Sequence, residues 1–241
     1  MNLSTDTTET NLKTQRENIR IRIRKDLVGT LFVSAALLAG AGRLDWSIAW
    51  IYIALNFLGL VVNWVVLAAK NPQIFAARAD ITKEDTKSWD KTFTALYGPM
   101  LLLIMAVTGI DAGRYGWSLV PGWLQWLGIG LFIFGWSFSL WALVSNPHFE
   151  TSVRIQEDRG HSTFTGGPYA IVRHPGYVGV ALLYAVSPLF LGSWWGLIPA
   201  ALLTAAFIYR TSREDQTLIH ELPGYREYTQ KVRYRLLPGI W

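Results

Sequence analysis

WLQWLGIGLFIFGWSFSLWALV, from Trp123 to Val144, runs without one charged residue. At a rise of 1.5 Å per residue such a run is long enough to cross the roughly 30 Å hydrocarbon core of a bilayer. Inside a bilayer a segment must satisfy its own backbone groups, so the run is read as a transmembrane helix. Working outward, five further apolar blocks are found: Leu27 to about Ala41, Trp46 to Ala69, Phe93 to Ile110, Val178 to Leu191 and Trp194 to Tyr209. The first is short for a span. The last two are separated only by Gly192 and Ser193, and read as a tight helical hairpin or as a pair with one partly re-entrant member. A single broken helix would be too long for the membrane.

The composition agrees with that reading. Of 241 residues, 51% are hydrophobic and 16% charged, well below the usual quarter for a soluble domain. The length suits one membrane bundle, so the chain is read as a single all-α domain, a polytopic bundle of about six spans. Residues 1–26 form a polar N-terminal tail that is not a signal peptide, 27–144 hold four spans, and 145–241 form the functional region. With the N-terminus inside, 20 of the 22 lysines and arginines fall on inside segments, leaving only Arg43 and Arg114 outside. That is the positive-inside pattern, and it puts both termini in the cytoplasm. The net charge of +5 is then explained by anionic lipid, with no need for nucleic acid.

Trp46, Trp50, Trp117, Trp123, Trp126, Trp194 and Trp195 lie near the outer ends of spans and read as an interfacial aromatic belt. Gly128, Gly130 and Gly135 read as close helix packing. No ionisable residue sits in the middle of a block, which argues against a transporter or channel. The chain has no cysteine, so thiol nucleophiles, disulfides and thiolate-bound metals are excluded. His148, His161 and His174 are spaced too widely to suggest a metal site.

Polar residues concentrate in two inside segments that flank the last hairpin. One runs from Asn146-Pro147-His148-Phe149-Glu150 through Gly160-His161 and Gly167-Pro168-Tyr169 to Arg173-His174-Pro175-Gly176-Tyr177-Val178-Gly179. The other holds Arg213-Glu214-Asp215, Gly224-Tyr225 and Tyr228. A hairpin brings them together at the headgroup level, where a charged, water-soluble cofactor and an amphiphile can both bind. On local grounds Arg173 is equally an inside anchor or a phosphate contact, His174 a turn or cap residue, and Glu214 and Asp215 surface carboxylates. The glycines near 160 and 166 are equally turn residues.

These residues resemble the signature of the isoprenylcysteine carboxyl methyltransferase family, which is related to the phospholipid N-methyltransferases. The signature is Gly-Pro-Tyr, then Arg-His-Pro-x-Tyr-x-Gly, a hydrophobic hairpin, and an acidic pair followed by leucine, here Glu214-Asp215 with Leu218. The match spans Asn146 to the C-terminus, while the first four blocks match only in hydrophobic character. The acidic pair is Glu-Asp where the family often has Glu-Glu, so contacts made by Asp215 must be rearranged.

The resemblance implies S-adenosylmethionine as cofactor, with Gly160, His161, Tyr169, His174, Pro175, Tyr177, Gly179, Glu214 and Asp215 around it. Pro168 and Pro175 would stiffen the loop, and Glu214 would meet a cofactor amine or hydroxyl. Methyl transfer from a sulfonium needs proximity and exclusion of water. Arg173 would orient a carboxylate acceptor, and Glu214 or His174 would act as base for an amine or thiol. The acceptor would be a lipophilic small molecule, a lipid or a prenylated substrate entering from the membrane. A bacterial inner membrane suits the small size. The rival readings are a membrane reductase of the sterol reductase type using a reduced nicotinamide cofactor, and a non-catalytic scaffold of the same fold.

Overall fold

The computed structural model describes residues 3–81 and 83–241, with side chains from residue 11 onward. The first two residues of the polar tail lie outside them. The described residues are helical, without strands: α1 Leu3–Ala41, α2 Ser47–Lys70, α3 Pro72–Ala77, α4 Ser88–Thr108, α5 Gly122–Ser145, α6 Pro175–Leu191, α7 Leu197–Glu221 and α8 Tyr225–Lys231. Three segments are long and apolar enough to cross a membrane: α2, α4 with its π-helical extension to Tyr115, and α5. Helix α6 is apolar but shorter.

The segment read as a tail is helical and continuous with the first apolar block. Its Arg, Lys, Glu and Gln are good helix formers, and Arg22 pairs with Asp26 one turn on, at 2.8 Å. The last two apolar blocks form a hairpin, turning at Gly192 (φ +85°), which closes α6 in the left-handed conformation that suits glycine. Helix α7 continues well past Tyr209 and carries Glu214 and Asp215 on its polar end.

Helices α5 and α6 touch backbone to backbone. A Cβ on Gly179 would lie 2.4 Å from the Gly135 carbonyl oxygen, and one on Gly128 would lie 2.8 Å from the Phe190 nitrogen. Gly130 corrects the sequence reading, since nothing lies within 4 Å of its missing Cβ and it packs against no helix. The core between α2, α5 and α6 is aromatic, with Tyr52, Phe132 and Phe190 meeting at centroid distances of 5.3 to 5.6 Å. At the hairpin turn, the buried Asp111 accepts hydrogen bonds from the Ser118 and Ser193 hydroxyls. Trp50, Trp117, Trp123, Trp126, Trp194 and Trp195 are exposed, as an aromatic belt requires.

Candidate functional site

The loop after α5 crosses the polar end of the bundle and delivers the Arg-His-Pro segment to the start of α6. Arg173 and His174 form the last residues of the loop before α6, and their backbone N–H groups donate to the carbonyls of Tyr234 (2.9 Å) and Arg235 (3.0 Å). The C-terminal tail is thereby held beside the motif. Pro175 occupies the first turn of α6, where a missing N–H costs nothing.

Asp215 is the hub of the arrangement. Its Oδ1 accepts from Arg173 Nε (2.8 Å) and the Tyr225 hydroxyl (3.0 Å), and His174 Nε2 stands 3.2 Å away. Its Oδ2 accepts from Arg173 Nη2 (2.9 Å) and Arg235 Nε (2.8 Å). Arg173 Nη1 donates to the carbonyls of Val232 and Arg233. The Asp215 side chain is wholly buried. Burial opposes its charge, but hydrogen bonds from His174, Arg173 and Arg235 hold the carboxyl well below the usual range. Burial, then the Asp215 charge, push the Tyr225 phenol up, so it remains a donor. Adjacent helical residues diverge by about 100°. Glu214 therefore points elsewhere, into a cleft, and accepts the Tyr177 hydroxyl.

That cleft encloses about 720 Å³ of space, counting its open mouth. Leu218, Leu222 and Phe164 give it an apolar side, while Glu214, His161 and Arg173 give it polar groups. The rings of His148 and His161 lie 4.7 Å apart. His161 Nδ1 accepts from the Gln156 backbone N–H at 3.3 Å, and burial followed by the His148 neighbour pushes the ring down to about 4. His161 is therefore neutral near pH 7. Two groups of the cleft wall, His148 Nδ1 and Ser152 Oγ, are buried without a protein partner, and such groups call for a ligand or water. Among the described residues no three His, Asp or Glu side chains are grouped as a metal site.

The loop is braced by its own charges. Arg154 pairs with Glu150, Asp158 and Asp85 at 2.7 to 2.9 Å, and Glu150 also receives Lys83 and Arg159. A second buried pair lies deeper. Arg210 Nε donates to Asp90 Oδ1 at 2.7 Å, and its guanidinium stands 4.6 Å from the Phe93 ring centre and 5.1 Å from that of Tyr177.

Of the residues singled out in the sequence, His161, Tyr169, Arg173, His174, Tyr177 and Glu214 line the cleft. Asp215 lies beneath it and holds three of its groups. Gly160 precedes His161 with φ +61° and closes a short 3₁₀ turn. Pro175 and Gly179 are not among its walls, and Gly179 faces Gly135 in the helix contact. Asp90 and Arg210 escaped the sequence reading because their pairing joins positions far apart in the chain. Tyr225 was visible only as a motif neighbour, and nothing local shows that it or Arg235 reaches Asp215.

The model of the isoprenylcysteine carboxyl methyltransferase (ICMT) family matches residues 110–220, which take in α5, the motif loop, the hairpin and the acidic pair. A solved structure of the eukaryotic intramembrane Ras methyltransferase ICMT aligns over 100% of this chain and 88% of that one, with a TM-score of 0.60 and 17% identity. At that identity the likeness is one of fold. The resemblance carried by Arg173-His174-Pro175 and Glu214-Asp215 is borne out by the two together. A Delta(14)-sterol reductase of Gibberella zeae is 28% identical over 154 residues, covering 47% of this chain. The chain spans about a third of that relative's length.

Proposed function

We propose that the chain transfers a methyl group from S-adenosylmethionine to a lipophilic or amphiphilic acceptor, at the cytoplasmic end of a bundle in which α1, α2, α4, α5, α6 and α7 all cross. The skewed distribution of lysine and arginine supports that orientation. The observation that carries the reading is the cleft itself, where Glu214, His161 and Arg173 converge beside an apolar wall and two unpartnered polar atoms.

S-adenosylmethionine supplies an electrophilic methyl on a sulfonium. The residues present fit such a molecule. Leu218, Leu222 and Phe164 offer apolar surface for a purine, and Glu214 can accept hydrogen bonds from an ammonium or a ribose hydroxyl. Arg173 has four of its five N–H groups engaged by Asp215, Val232 and Arg233, so it shapes the site and keeps one Nη2 donor for a carboxylate. His148 Nδ1 and Ser152 Oγ supply two more polar contacts. Phe149 and Tyr177 form the inner wall, shared with a cavity on the membrane side, and so separate water from the route of a lipophilic acceptor.

Calorimetric titration of the detergent-purified protein with S-adenosylmethionine and S-adenosylhomocysteine tests this. Saturable binding that is lost in Glu214→Ala and Arg173→Ala is expected. No binding by folded protein overturns the assignment. The sterol reductase relative favours one alternative, a reductase whose reduced nicotinamide cofactor occupies the same cleft, and the same titration with NADPH decides between them.

A further inference from the structure

The other wholly or nearly buried carboxylates of this protein have a cation beside them. Asp90 meets Arg210, Asp215 meets Arg173 and Arg235, and Glu150 meets Lys83, Arg154 and Arg159. Asp111 differs. It is wholly buried in the π-helical turn Gly109–Tyr115, at the end of the bundle opposite the cleft, and among the described residues no lysine, arginine or histidine pairs with it. The arginine of its own turn, Arg114, donates instead from Nη2 to the Ala39 carbonyl at 2.7 Å.

The two oxygens of this carboxylate have different surroundings. Oδ2 accepts the Ser118 and Ser193 hydroxyls, both at 2.5 Å, and the Trp195 backbone N–H at 3.3 Å. Oδ1 is buried with no partner in the protein. Thr108, three residues earlier and on the same side of the helix, is also wholly buried, and its Oγ1 has no partner either. Both side chains meet the α6–α7 turn. Thr108 Oγ1 stands against Gly196, where a Cβ would strike it, and the Gly196 N–H donates at 2.9 Å to the same Ser193 hydroxyl that holds Asp111.

A water molecule would satisfy the two free oxygens but would leave the charge in a low-dielectric interior, where an unpaired ion is costly. A cation answers both needs. Carboxylate and hydroxyl oxygens are hard ligands, suited to alkali and alkaline-earth ions and poor for softer metals. A single carboxylate balances a single positive charge, and a divalent ion would leave a surplus. We infer that Asp111 Oδ1 and Thr108 Oγ1 bind a monovalent alkali cation, sodium, which neutralises the carboxylate and ties the end of α4 to the α6–α7 turn. The close approach of Gly196 favours sodium over the larger potassium. The inference does not rest on the methyltransferase reading, because none of these residues lines the cleft.

Two measurements on the detergent-purified protein test it. In thermal unfolding at neutral pH, sodium chloride replaces choline chloride at constant ionic strength. The midpoint should rise by about 3 to 5 °C for each tenfold increase in sodium once binding begins to saturate. In equilibrium dialysis, radioactive sodium should be retained saturably, displaced by unlabelled sodium, less well by potassium and not by choline. Asp111→Asn should abolish both effects. Thr108→Val should weaken sodium about tenfold, the value of one lost contact to a charge. Its hydroxyl bonds to nothing in the protein, so this variant tests the location even if Asp111→Asn does not fold. Absence of either effect in the unmodified protein overturns the inference and leaves the carboxyl neutralised by a proton. Retention of calcium in preference to sodium overturns the charge balance. Sodium binding unchanged in folded Thr108→Val puts the ion elsewhere and overturns the site.

Discussion

Replacing Asp215 by asparagine removes the charge on which the motif, α7 and the C-terminal tail converge. Two guanidiniums, one imidazole and one phenol lie within 2.8 to 3.2 Å of this carboxylate. Removing one partner of a buried ion pair costs about 3 to 5 kcal/mol, because the other charge is left desolvated. The asparagine oxygen can keep one bond to Arg173, but its amino group then faces Arg235 or His174 as donor to donor. Arg235 is 27% exposed, so water recovers part of its loss. The lower end of the range, about 3 kcal/mol, is expected. The assay is unfolding in mixed dodecyl sulfate and dodecyl maltoside micelles, followed by tryptophan fluorescence, with limited proteolysis of the 232–241 tail beside it. In a double-mutant cycle with Arg173→Gln, the coupling should reach about 1.5 kcal/mol or more. A loss under about 1 kcal/mol for Asp215→Asn, or strict additivity in the cycle, would refute the reasoning. Acid gives an independent reading. A carboxyl depressed by folding stabilises above its unfolded pKa of about 3.9, and that stability is lost as pH falls through the folded value. The unmodified protein should therefore weaken below about pH 4 by more than Asp215→Asn does.

Gly179→Ala forces a methyl against the Gly135 carbonyl and should cost about 1 to 3 kcal/mol in the same unfolding assay, while Gly130→Ala, facing open space, should be neutral. A neutral Gly179→Ala would mean that α5 and α6 are not in backbone contact. His161 has its pKa lowered by folding to about 4, so the unfolded chain takes up a proton first as pH falls. Its contribution is fully present above about pH 6.5, declines between about 6.5 and 4, and is constant below. His161→Gln should flatten that part of the stability profile, and an unchanged slope would show that the ring is not buried as described.

How much was legible in the sequence varies with the distance over which each feature is encoded. The apolar block Trp123–Val144 dictates a helix by itself, because a run of that length without charge has few other stable forms in a bilayer. The same holds for the hairpin and for the clustering of polar residues on either side of it. The nearness of Arg173 to Asp215 also followed, since a hairpin returns its two ends to one surface. Direction along a helix was harder. Nothing in the order Glu214-Asp215 tells which carboxylate faces the cleft and which is buried, since one residue's step turns the side chain by about 100°.

Other features were decided only by tertiary structure. Asp90 and Arg210 each look like ordinary charges at the edge of an apolar block, and only the approach of α4 to α7 makes them a buried pair. Arg78 reads in the sequence as one more inside cation, and only the fold brings its guanidinium onto the Phe149 carbonyl and ring. The glycines of α5 were equivalent in sequence, yet the rotation of α5 against α6 puts Gly128 and Gly135 in contact and turns Gly130 away. By itself the sequence determined which segments are apolar and where charge is excluded, because those depend on local solvation. Which charge meets which depends on how helices are rotated and packed, and that only the assembled bundle decides.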